Sequence, residues 1–184
     1  MEEKKYAVLI DGDNISSKYL DSILNEMTKY GIATYKRIYC DFTSQQSSKW
    51  RRLVRDSGIQ AMQQFANTVG KNATDSTLII DAMDILYTGN VDGFCIVSSD
   101  GDFTRLAIRL KESGMDVIGM GESKTPRSFR AACTVFTDLE ILYEAESEDD
   151  EISTKGKKPA VKHNVVKVSE IENVIIEIIN ENNN

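Results

Sequence analysis

The stretch YAVLIDGDNI, residues 6–15, runs five strand-forming residues straight into two carboxylates and an amide. An apolar run of this length reads as a buried strand. Charges crowded onto its end are costly to desolvate unless something binds them. Asp11, Asp13 and Asn14 therefore mark the end of that strand as a candidate site. A second stretch, FCIVSSDGDF at residues 94–103, repeats the pattern with Asp100 and Asp102.

Around these two stretches the chain alternates strand-like and helix-like patterns. Residues 16–31 carry Leu20, Ile23, Leu24 and Met27 at helical spacing and stop at Gly31. Strands are expected at 33–40, 59–65, 94–98, 115–121 and 134–139. A short basic helix is expected at 47–58, a regular one at 74–89 and another at 103–114. Alternation at this spacing predicts an α/β fold with a central, mainly parallel sheet and helices on both faces. In such sheets ligands bind beyond the C-terminal strand ends, where strand order reverses. Both acidic clusters end strands, so those two strands are expected to be neighbours.

The 184 residues can hold one ordinary domain plus an appendage, and an apolar share of 41% is enough for a packed core. No run is long enough to span a membrane. Asp11 interrupts the N-terminal apolar run too early for a signal peptide, so a cytoplasmic protein is expected. Cys40, Cys95 and Cys133 sit far apart in apolar surroundings and read as core residues in a reducing compartment. The net charge of −7 is unevenly spread: residues 1–143 carry 19 acidic and 17 basic side chains, residues 144–184 carry 10 and 5. With five acids committed to a site, the remainder of the main domain is cationic. An anionic partner is compatible with that balance.

On a helical wheel at ~100° per residue, Asp75 opens the 74–89 helix on the side of its apolar stripe. It is either a helix cap or dipole partner, or a third acid reaching the rim where Asp11 and Asp100 emerge. Carboxylates converging without neutralising bases repel one another, and oxygen ligation of Mg²⁺ or Mn²⁺ resolves that repulsion. Such ions can activate a water and steady a leaving oxygen at phosphorus. The chain's one histidine, His163, lies in a predicted linker. That excludes RNA cleavage by paired histidines and a Ser-His-Asp hydrolase. No Walker loop or dinucleotide fingerprint is present.

The motifs Asp11-Gly-Asp-Asn14, Lys71-Asn-Ala-Thr-Asp75 with Leu78 and Asp81, Ser98-Ser-Asp-Gly-Asp-Phe103 and Gly114-Met-Asp-Val117 resemble NYN domains of the LabA-like group. These are PIN-like nucleases, and the resemblance covers residues 5–143. It implies a Rossmann-like PIN fold and a metal-dependent ribonuclease acting on RNA. Carried over, Asp11, Asp75, Asp100 and Asp102 form the catalytic, metal-holding cluster, with Asp13, Asn14, Ser99 and Asp81 in support. Ser99 stands where many relatives have glycine. Two other readings compete. One is an RNA-binding or scaffolding module with little or no catalysis. The other is a haloacid-dehalogenase-like phosphatase, for which Asp100-Gly-Asp102 is too closely spaced and Asp75 has no role.

Several basic residues could serve an RNA backbone. Trp50, Arg51, Arg52 and Arg55 cluster on the 47–58 helix, with Trp50 either a core anchor or a base-stacking platform. Arg105, Lys124 and Arg127 follow the second acidic cluster. Beyond the main domain at 1–143, residues 144–164 read as a charged flexible linker. Residues 165–184 form an amphipathic helix whose apolar face needs a partner. It packs on the main domain, pairs with a copy of itself, or opens a downstream domain. LabA-like NYN domains are often followed by a winged-helix OST-HTH (LOTUS) module thought to bind RNA, and this helix looks like its start.

Overall fold

The computed structural model of the chain describes residues 3–65 and 73–155, excepting the side chains of 73–75 and 148–155. Six strands form one sheet: β1 (Lys5–Asp11), β2 (Ile32–Cys40), β3 (Gln60–Gln63), β4 (Gly93–Val97), β5 (Asp116–Gly121) and β6 (Val135–Asp138). Their order is β3-β2-β1-β4-β5-β6, with every neighbouring pair parallel. The order reverses between β1 and β4, the two strands that carry the acidic stretches. Pairing of Ile10 with Val97 brings their C-terminal ends level.

Alternation along each strand divides the core in two. Tyr6, Val8 and Ile10 pack on one face with Leu20, Ile23 and Met27 of α1 (Leu20–Met27), Trp50 of α2 (Ser48–Ser57) and Leu139 of α6 (Leu139–Lys155). Ala7 and Leu9 pack on the other face, with Leu78, Ala82 and Ile85 of α3 (Ala73–Thr88). Leu106 and Leu110 of α4 (Thr104–Glu112) and Phe129 of α5 (Arg127–Ala132) complete that layer. Strands buried on both faces need continuous apolar runs, which explains YAVLI and GFCIV. Each fully buried Leu or Ile contributes roughly 1.5–3 kcal/mol. All three cysteines are buried and unpaired, and burial pushes the Cys40 thiol up to about 12 and Cys133 to about 11.

Three features differ from expectation. The predicted 16–31 helix begins as a 3-10 turn at Ser17–Tyr19, and its regular part ends at Met27. Helix α5 is absent from the sequence reading because six residues burying only Phe129 and Ala132 show no clear period. The acidic run expected to be linker from residue 144 is instead part of α6. Leu139 and Leu142 seat that helix in the α1-side core, and Ser22 of α1 donates a hydrogen bond to Glu146. The Tyr143 and Tyr19 rings meet edge-on at 5.6 Å, with the Lys18 ammonium over both. Tertiary anchoring thus carries a charged segment into helix. The amphipathic helix expected at 165–184 lies outside the described residues.

Asp81 has a different place from the one expected. It accepts hydrogen bonds from the Tyr39 hydroxyl at 2.6 Å and from Arg37 Nη1 at 2.7 Å. The pair clamps α3 onto β2, so Asp81 serves the fold directly and not the acidic rim. Burial, then the neighbouring Asp81 carboxylate, raises the Tyr39 phenol far above its ordinary range. Tyr39→Phe is expected to cost about 1.5–3 kcal/mol, the worth of a hydrogen bond to a charged group. Urea unfolding measures this; an unchanged midpoint would mean the clamp is energetically idle.

Candidate active site

Asp11 closes β1 and is fully buried, with 0% exposure. Its Oδ2 accepts from Ser98 Oγ at 2.7 Å and from Asn14 Nδ2 at 2.8 Å. Its Oδ1 is buried with no hydrogen-bond partner among the described residues. Burial raises the carboxyl above its usual range, and the bonds from Ser98 and Asn14 pull it partly back. The turn that follows is fixed by the backbone: Ile15 N donates to Asp11 O at 3.0 Å and Gly12 N to Tyr39 O at 2.9 Å. A Cβ at Gly12 would lie 2.8 Å from the Ile38 side chain, so the turn runs close against β2.

Ser98 is the residue sequence reasoning passed over. It is fully buried one position beyond β4, and its hydroxyl gives its proton to Asp11 while accepting from Asp100 N at 3.0 Å. Asp100 Oδ1 in turn caps the short 3-10 turn Gly101–Phe103 by accepting from Asp102 N at 2.9 Å. One hydroxyl therefore couples the acid of β1 to the backbone of the acid after β4. The only sequence signal for it is a serine pair between an apolar strand and Asp-Gly-Asp. The second of the pair, Ser99, accepts from Glu122 N at 2.9 Å and ties the ends of β4 and β5 together.

The remaining acids differ in position. Asp13 is exposed and accepts from Asp41 N at 3.3 Å. Asp102 is exposed on the turn. Asp75 lies in the first turn of α3, which runs back along the sheet and so begins at the same C-terminal edge. Thr77 Oγ1 bonds Gln64 Oε1 at 2.8 Å, holding that helix start near the end of β3. The Asp75 side chain is outside the described set. Among the described residues, no three His, Cys, Asp or Glu side chains gather as a metal cluster.

Three of the seven expected RNA contacts are already engaged within the fold. Trp50 is only 2% exposed and donates from Nε1 to Gly12 O at 3.0 Å. It is a core anchor and cannot stack on a base, because the α1-side core covers its ring. Arg51 donates to the carbonyls of Phe42 and Ser44. Lys124 pairs with Glu122 at 2.8 Å. Arg52, Arg55, Arg105 and Arg127 are exposed. Arg105 and Arg127 sit in the first turns of α4 and α5, on the same sheet edge as Asp100.

The NYN domain family model matches residues 5–140, which takes in all six strands and both acidic stretches. The chain belongs to the NYN domain family. That places it in the PIN-like nuclease superfamily, with the parallel sheet as its scaffold. Over 174 residues the NYN chain is 26% identical to an uncharacterized protein of Methanocaldococcus jannaschii. The match covers 91% of this chain and 66% of that relative, so the chain spans just under two thirds of the relative's length. The crystal structure of a Vibrio parahaemolyticus protein of unknown function superposes with a TM-score of 0.63 at 19% identity, covering 75% of this chain and 96% of that one. This second likeness is one of fold. No helix among the described residues of the NYN chain is long and apolar enough to cross a membrane.

Proposed function

We propose that this NYN domain is a metal-dependent endoribonuclease that hydrolyses RNA phosphodiesters in the crevice between β1 and β4. The observation that carries the reading is Asp11, a fully buried carboxylate with one oxygen bonded and the other left without a partner among the described residues. An orphaned buried carboxylate oxygen is expensive unless a ligand satisfies it. Its place at the reversal of strand order is where an open α/β sheet takes ligands. Carboxylate oxygens from Asp11 and Asp100, with Asp75 and Asp102 on the same edge, are a hard-cation donor set that fits Mg²⁺ or Mn²⁺. When bound, such an ion supplies charge neutralisation at phosphate and a water of lowered pKa.

The chain's own groups do the rest. Ser98 and Asn14 fix the orientation of the Asp11 carboxylate through Oδ2, leaving the buried Oδ1 as the oxygen for a ligand to satisfy. Asp100 is held by its backbone bond to Ser98. Arg105 and Arg127 face an incoming phosphate backbone across the same edge and favour anionic substrate. With water as the nucleophile, cleavage leaves a 5′-phosphate and a 3′-hydroxyl.

The test is cleavage of a 5′-labelled, mixed-sequence, single-stranded RNA with Mn²⁺ and with excess EDTA. Cutting in Mn²⁺ alone, with 3′-hydroxyl ends, is expected. Well-folded protein that binds the RNA without cutting it would overturn the nuclease reading in favour of a binding module. Cyclic-phosphate ends would overturn the hydrolytic chemistry.

A further inference from the structure

A polar cleft of about 560 Å³ opens beside the acidic crevice, between Gly12–Ser17 of the β1–α1 turn and Gln45–Trp50 at the start of α2. That volume falls within the range that takes a small organic ligand. Its floor is closed by Trp50, locked to the Gly12 carbonyl. Its walls carry Ser16, Ser17, Gln45, Gln46, Ser48 and Lys49. None of these six side chains makes a hydrogen bond or ion pair among the described residues, in contrast to the engaged Ser98, Ser99 and Arg51 beside them.

Two features tie the cleft to the crevice. Asn14 lines it and, through Nδ2, holds the Asp11 carboxylate. A ligand seated there lies against the residue that orients the metal-facing acid. The charges are also arranged with a direction. Lys49 supplies a cation on one wall, while the Asp13 carboxylate and Glu122, itself paired with Lys124, disfavour phosphate elsewhere in the cleft and leave that side to ribose and base. Two side-chain amides offer both donors and acceptors, the chemistry that reads a base edge.

We propose that this cleft is a nucleotide subsite, seating one nucleotide of single-stranded RNA next to the scissile phosphate. Lys49 takes its phosphate, and Gln45 and Gln46 take its base edge. The strand must be single, because base edges inside an A-form duplex are out of reach of such a pocket. The assignment rests on the nuclease reading for what happens next door, but its test does not depend on turnover.

Binding of a fluorescein-labelled eight-nucleotide single-stranded RNA to the full chain would be followed by anisotropy in EDTA. The proteins are wild type, Lys49→Gln, the double variant Gln45→Ala with Gln46→Ala, and Lys111→Gln as a charge control at the far end of α4. All the substituted side chains are exposed. The cleft variants are expected to weaken binding about tenfold, the worth of one specific polar contact, and the control less than about twofold. Cleft variants that bind like wild type, a control that weakens binding as much, or a wild type that fails to bind would each overturn the subsite. Equal affinity for the same sequence as a duplex would overturn it as well. Cleavage of the same RNA in Mn²⁺ reports separately on the nuclease: cleft-dependent binding without cutting sinks that reading and leaves the subsite standing.

Discussion

Asp11→Asn protein is expected to fold as wild type does and to cut RNA at least about 100-fold more slowly, the loss that follows when several kcal/mol of metal-assisted stabilisation disappear. The two halves of this expectation come from the same geometry. Asp11 is buried at the end of β1, and burial holds its carboxyl above the ordinary carboxylate range. At neutral pH its charge is therefore a cost to the fold and not a support. The amide oxygen of asparagine can still accept from Ser98 and Asn14, so both existing bonds survive. The change falls on Oδ1, the orphan, where a neutral NH₂ replaces an anionic oxygen. Unfolding free energy is expected to stay within about 1 kcal/mol of wild type, since relief of a buried charge offsets the newly buried donor. Metal binding separates the two effects. Wild-type protein at ~100 times the Mn²⁺ dissociation constant should gain about 2.7 kcal/mol of stability, and the variant should gain far less. A variant that cuts at the wild-type rate would remove Asp11 from the chemistry. One that unfolds would show its charge to be structural.

The reach of sequence reasoning here has physical reasons. Strands β1 and β4 were legible because a strand buried on both faces must be apolar throughout, and an acid directly after such a run stands out. Their adjacency followed from where α/β sheets place ligands, and the observed order reverses between them. An aromatic among arginines fits both a core anchor and a stacking platform, so for Trp50 the packing of α2 and the bond to the Gly12 carbonyl decide for the anchor. The helical fate of residues 144–151 was hidden for a related reason. Charge density argues for solvation, while Leu139, Leu142 and the Tyr19–Tyr143 contact, all outside the run, argue for helix. Asp81 reads in sequence as a supporting residue of the acidic site, and Arg37 and Tyr39, more than forty residues away, claim it instead. In each case the missing information was a long-range partner.

Ser98→Ala is expected to lower kcat/KM about 10- to 100-fold, the usual penalty for losing a partner that orients a metal ligand. The hydroxyl has two jobs, and alanine ends both. Asp11 Oδ2 keeps only its bond from the exposed Asn14, while the Asp100 amide loses its acceptor. The carboxylates at the ends of β1 and β4 then lose the link that sets their separation. A stability loss of about 1–3 kcal/mol should accompany this, since a buried acceptor and a donor are both left less satisfied. Ser99→Ala supplies the contrast. That hydroxyl accepts from Glu122 N and ties β4 to β5, away from Asp11, so its removal should affect stability more than kinetics. The diagnostic readout is Mn²⁺ dependence. If Ser98 acts by holding metal-facing carboxylates in place, its alanine variant should need more Mn²⁺ for half-maximal rate, and excess metal should recover part of the loss. A purely structural role would lower the amount of folded enzyme without moving that midpoint. Wild-type kinetics in Ser98→Ala would show that Asn14 alone suffices to orient Asp11.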